Sequence, residues 1–144
     1  MIRQIEVANL AATLFLTGLA WFLQTVQLPL LAHLREADFA TGIRLQRRRN
    51  TILMAPAMLI EAVTSIAIAK DLWRDWPAIS AAAIVAVIWF VTFLFIVPLN
   101  ARLAKGFDAQ VLRLLTRANW VRTVAWTLRS VIVITLLLLI DVEA

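Results

Sequence analysis

Residues 55–69 read APAMLIEAVTSIAIA, an apolar run of the kind that crosses a bilayer, interrupted near its middle by Glu61. A carboxylate at that depth has no water around it, so a span through this stretch requires a partner for the charge. The rest of the chain supports the span. No Lys, Arg, Asp or Glu occurs between Glu6 and Arg35, or between Asp75 and Arg102. Each gap exceeds the roughly 20 residues needed to cross the hydrocarbon. The stretch 51–69 carries only Glu61, and 119–140 carries only Arg122 and Arg129.

With 62% hydrophobic and 16% charged residues in 144, the chain holds more apolar side chain than one soluble core of this size can hide. The expected fold is all-α: one domain, 1–144, forming an integral membrane four-helix bundle with spans at about 7–34, 51–69, 77–99 and 119–140. Arg3 and the Gly18-Leu19-Ala20 triplet resemble a secretory signal, but the apolar run continues to Leu34 and reads as a retained helix. Cysteine is absent, which excludes disulfides, thiolate metal sites and cysteine nucleophiles.

The formal charge of +5 follows the membrane and gives no sign of nucleic acid. Arg35, Arg44, Arg47, Arg48 and Arg49 fall in the first loop, and Arg102, Lys105, Arg113 and Arg117 in the third; the opposite side has Arg3, Lys70 and Arg74. The positive-inside rule then places the first and third loops in the cytoplasm of a bacterial inner membrane protein, with both termini periplasmic. Trp73 and Trp76 are expected at the outer interface and Trp120 at the inner one. Arg47, Arg48 and Arg49 are candidates for lipid-headgroup contact.

The first loop, READFATGIRLQRRRN, predicts a turn at Ala40 to Gly42 followed by a basic run into helix two. In the third loop Asp108 can cap a short helix with Val111, Leu114 and Leu115 on one face, predicting an interfacial helix between helices three and four. Pro29, Pro56 and Pro98 lie toward the cytoplasmic ends of their spans, where they kink the helix or free carbonyls for neighbours to satisfy.

On a 3.6-residue wheel the polar residues of each span gather on one side. Helix one groups Asn9, Thr13, Thr17, Gln24 and Gln27; helix two groups Asn50, Glu61, Thr64 and Ser65; helix three has Asn100 with Trp89 and Phe93; helix four has Asn119, Arg122, Trp126 and Arg129. These faces should turn inward and hydrogen-bond across helices. Glu61 lies twelve residues beyond Arg49, and Arg129 twelve beyond Arg117. At about 1.5 Å per residue both reach about 18 Å from their basic anchors, which predicts a buried Glu61–Arg129 ion pair. Arg122 should lie about 10 Å nearer the cytoplasm, and the arginine fork suits a two-bond grip on the carboxylate. The pair reads either as a structural fastener or as part of a polar pocket for a ligand headgroup, a quinone or a proton. Candidates for that interior are Glu61, Arg129, Arg122, Trp126, Asn119, Gln24, Gln27 and Asn100.

No metal site is expected, because His33 is the only histidine and lies at a helix end, and no Glu-x-x-His spacing exists. No resident cofactor is predicted, although the polar interior suits a quinone or a lipid.

Four stretches stand in order along the chain: Pro56-Ala57-Met58-Leu59-Ile60-Glu61, Val97-Pro98-Leu99, Gly106-Phe107-Asp108 and Asn119-Trp120-x-Arg122-Thr123-x-x-Trp126-x-x-Arg129. Together they resemble an uncharacterised family of small bacterial four-helix membrane proteins, itself similar at a distance to the anthrone-oxygenase-like group. In that family histidine often precedes the proline closing helix one, recurs before helix two and can follow the Val-Pro-Leu segment. This chain has Gln27 and Leu28 before Pro29, Ile43 and Gln46 before Arg48, and Asn100 after Leu99. The resemblance therefore implies a member with amides where relatives have histidines, which points away from catalysis. The leading expectation is a non-enzymatic accessory or structural subunit of a membrane complex, with the lipid bilayer, membrane-protein partners or a second copy as its contacts. The alternatives are a membrane-embedded redox enzyme or quinone- or lipid-binding protein with Glu61 as proton acceptor, and a small transporter.

Overall fold

Each apolar run becomes one long helix in the computed structural model, which describes residues 2–72 and 74–143, with side-chain surroundings for 3–72 and 74–138. Helix α1 runs Ile2–Phe22, passes through a π-helical turn at Leu23–Gln27 and ends as Leu28–Ala32. Helix α2 is unbroken over Glu36–Asp71. Helix α3 runs Trp76–Val91, takes a π turn at Thr92–Ile96 and ends as Val97–Leu103. Helix α4 covers Ala109–Glu143. All four are long and apolar enough to cross a membrane, and no strand occurs among the described residues.

Side-chain partners fix the arrangement. Asn9 meets Ser65 while Gln27 meets Asn50, so α1 and α2 are antiparallel. Thr17 meets Ser130 while Gln24 meets Asn119, so α1 and α4 are antiparallel too. Met54 meets Arg122 and Glu61 meets Arg129, so α2 and α4 run parallel. With α3 packed between α2 and α4, the bundle is a four-membered ring in chain order.

Its surface is inverted relative to a water-soluble bundle. Ile52, Val63, Val131 and Leu138 point outward at 60% exposure or more, whereas Asn9, Thr13, Glu61 and Arg129 are buried. Apolar packing supplies no net drive between helices in lipid, so interhelical hydrogen bonds and close side-chain fit hold the ring.

Three local expectations change. No turn forms at Ala40 to Gly42, because α2 begins at Glu36 and continues through the basic run. Phe39 and Ile43, one turn apart, bury against Leu31, Leu103 and Val111, while Arg44, Arg47, Arg48 and Arg49 fan outward. Glu36 and Asp38 in the first turn suit the positive end of the helix dipole. A Cβ on Gly42 would lie 2.9 Å from Leu34 Cδ1, the end of an exposed side chain.

The interfacial segment before helix four is helical and capped as expected, with Asp108 Oδ1 accepting from the amides of Gln110 and Val111 at 2.9 and 3.1 Å. It is continuous with α4 rather than a separate helix. Val111, Leu112 and Leu115 bury against the ends of α1, α2 and α3, so no bend is needed to cover them. Leu114, expected on the same face, is exposed.

The π turns are the third difference. Pro29 and Pro98 donate no amide hydrogen and crowd the carbonyl four residues earlier. Immediately ahead of each, the helix widens by one residue: the Leu28 amide bonds to the Leu23 carbonyl, and the Val97 amide to the Thr92 carbonyl. Helix α2 passes Pro56 as regular α-helix. Trp76 is 74% exposed at the start of α3. Trp73, expected beside it, lies outside the described residues.

Candidate functional site

The polar interior divides into two sites stacked along α4, one closed and one open. In the closed site Glu61 from α2 and Arg129 from α4 form the expected ion pair, Arg129 Nε donating to Glu61 Oε1 at 2.9 Å, with side chains only 0% and 1% exposed. Thr13 from α1 also donates to Oε1 at 2.9 Å, and Trp126 Nε1 donates to Oε2 at 3.1 Å. Both carboxylate oxygens are thus engaged.

The expected two-bond grip does not form. Arg129 spends only Nε on the carboxylate; Nη2 donates to Asn9 Oδ1 at 2.9 Å and to Ser65 Oγ at 2.7 Å, and Nη1 donates to the Ala81 carbonyl of α3. The guanidinium thereby reaches α1, α2 and α3 together, with Nη1 and Nη2 both bonded away from the carboxylate. Asn9 Nδ2 returns to Thr64 Oγ1, Ser65 Oγ and the Glu61 carbonyl, and Ser65 donates to that carbonyl as well. Every helix contributes, and the charges are compensated on all sides.

About two turns along α4, Arg122 is also buried, at 4% exposure, but in a different condition. Its Nη2 reaches only the weak acceptor Met54 Sδ at 3.7 Å, and its guanidinium carbon lies 4.8 Å from the centre of the Trp126 ring. Its Nε has no partner. Trp126 therefore separates the sites, its indole N–H turned to Glu61 and its ring to Arg122.

Arg122 faces a cavity of about 410 Å³ between α2 and α3, closed at the back by α1 and α4. The lining is mainly apolar, including Leu23, Met58 and Ile96, with Asn50, Asn100 and Asn119 among its polar members. Along α2 it extends from Gln46 to Leu59, about 20 Å at 1.5 Å per residue. Exposed Arg47, Thr51 and Leu59 of α2 face exposed Phe93 and Val97 of α3 across it. Both π turns contribute lining residues, Leu23 from the first and Thr92, Phe93 and Ile96 from the second. Such turns recur at functional sites because they displace one turn of backbone outward.

The expected interior residues are thus distributed between sites. Glu61, Arg129 and the N–H of Trp126 belong to the closed site; Arg122, Asn119 and Asn100 line the cavity, which neither Glu61 nor Arg129 does. Gln24 accepts from Asn119 Nδ2 at 2.8 Å, and Gln27 Oε1 accepts from Gln46 Nε2 and Asn50 Nδ2 at 2.9 and 3.1 Å. Asn100 donates to the Ile96 carbonyl at 2.9 Å, bridging the end of the π turn. Of the three basic residues expected at headgroups, only Arg47 borders the cavity. His33 is exposed at its helix end, with Nδ1 2.8 Å from the Pro29 carbonyl. Among the described residues no group of three His, Cys, Asp or Glu side chains is placed to hold a metal.

Sequence reasoning missed the cavity, the Ala81 carbonyl and the unpartnered N–H of Trp89. The adjacent prolines and the aromatic pair Trp89 and Phe93, whose rings are 5.4 Å apart, were the available signals. Comparison with protein-family models, with curated proteins and with solved structures found no match for the chain.

Proposed function

We propose that this chain is a non-enzymatic, multi-pass protein of the bacterial inner membrane, both termini periplasmic, that binds a membrane-soluble amphiphile between α2 and α3. The observation carrying this reading is the cavity of about 410 Å³ with the buried, uncompensated Arg122 on its wall. Pockets of this size, mostly apolar with a few convergent polar groups, are the usual form of a small-molecule site. The orientation rests on Arg44, Arg47, Arg48, Arg49, Arg113 and Arg117 at one end of the bundle.

The closed site favours fastening over chemistry. A proton acceptor must reach its substrate, yet Glu61 is fully buried, bonded through both oxygens and absent from the cavity wall. This takes support from the redox-enzyme reading that uses Glu61. The accessory-subunit reading accounts for the closed site but leaves the cavity without a purpose, so it stands second.

Gentle solubilisation followed by mass spectrometry of everything retained separates them. A retained amphiphile is the expected result. A stoichiometric protein partner with no small molecule would replace ligand binding with the subunit reading.

A further inference from the structure

Three buried side-chain polar atoms lack a hydrogen-bond partner among the described residues: Arg122 Nε, Trp89 Nε1 and Gln46 Oε1. They come from α4, α3 and α2, and all three residues line the same cavity. An unpartnered donor in an apolar interior is costly, and an uncompensated cation more so. Arg129 shows how this bundle satisfies a guanidinium it needs only for structure, using four partners on three helices. Arg122 has a thioether and a ring face.

Resting on the ligand-binding reading above, we propose that the cavity takes a single-chain amphiphile with a carboxylate head, a long-chain fatty acid, its head on Arg122 and Trp89. The charge selects an anion: a neutral carbonyl could accept both N–H groups but would leave the guanidinium uncompensated. The fork of Arg122 and the indole N–H are donors, as an oxyanion requires. Gln46, another residue of the lining, is held through Nε2 by Gln27, and its carbonyl oxygen is buried without a partner. About 410 Å³ accommodates one chain and is too small for a two-chain phospholipid. The chain lies along the apolar remainder of the groove, past Met58 and Leu59, and enters between the exposed faces of α2 and α3.

Carboxyl-¹³C stearate added to the protein in phosphatidylcholine nanodiscs at pH 8 tests this by nuclear magnetic resonance. The expected result is a bound carboxyl resonance, distinct from the bilayer population and saturating at one per chain. Arg122→Gln weakens it by about tenfold or more, and Arg122→Lys, which keeps the charge, retains most of it. An unchanged bound resonance in Arg122→Gln would remove the head from Arg122 and leave the cavity reading standing. Competition on the unaltered protein needs no variant to fold. Displacement by methyl stearate or a short-chain ubiquinone as readily as by unlabelled stearate would overturn the anionic assignment, and displacement by phosphatidylglycerol the single-chain one. No bound signal from stearate, its ester or the quinone would overturn this proposal and the ligand-binding function together.

Discussion

Arg122 and Arg129 lie on one face of α4, both at least 96% buried, yet Arg129 is bonded to α1, α2 and α3 while Arg122 pairs with no carboxylate among the described residues. The two arginines should therefore respond oppositely to removal.

At the closed site, Glu61→Gln leaves the Arg129 charge buried without its counterion. The expected loss is about 3–5 kcal/mol, and the double variant Glu61→Gln, Arg129→Met should lose less than either single change. Unfolding in mixed detergent and SDS measures both. A Glu61→Gln protein as stable as the parent would rule out the fastening role.

At the open site, Arg122→Met removes a buried cation that no carboxylate compensates. In delipidated protein the same unfolding assay should show a change within about 1 kcal/mol or a gain in stability. A loss as large as that of Glu61→Gln would mean Arg122 is structural.

Trp126→Phe distinguishes the two faces of the residue between the sites. It deletes the N–H bonded to Glu61 Oε2 but keeps a ring beneath Arg122. Stability should fall by about 1–3 kcal/mol, with stearate affinity changing much less than in Arg122→Gln.

The four long apolar helices and the Glu61–Arg129 pair were legible because both follow from local quantities: the length of charge-poor runs and the position set by helical rise. The start of α2 was not. Its charged residues read as a loop, and only tertiary packing shows that Phe39 and Ile43 carry a buried stripe through them. The one-bond geometry at Glu61 was equally hidden, since the competing acceptors Asn9, Ser65 and the Ala81 carbonyl come from three different helices. The cavity is a property of how the helices pack, and its sequence trace is limited to the prolines that follow each π turn and the Trp89–Phe93 pair.

Gly42→Ala tests the revised α2. Leu34 Cδ1, the atom a new Cβ would meet, is the mobile end of a 41% exposed side chain and can rotate away. Alanine gains up to about 1 kcal/mol in helix propensity, so unfolding should show a neutral or stabilising change. A loss above about 2 kcal/mol would indicate that the local backbone needs glycine.

Pro98→Ala restores an amide donor after the second π turn and permits regular α-helix there. The expected outcome is a more stable α3 together with weaker stearate binding, as Thr92, Phe93 and Ile96 lose their outward displacement. Unchanged binding would separate the π turn from the cavity's purpose.

The division between a closed and an open site is tested most directly by density for protein extracted without delipidation. The expected density is an elongated feature between α2 and α3 ending at Arg122, with the Glu61–Arg129 contacts intact and dry. A ligand seated against Glu61, or a collapsed cavity with Arg122 turned onto a carboxylate of the protein itself, would contradict it.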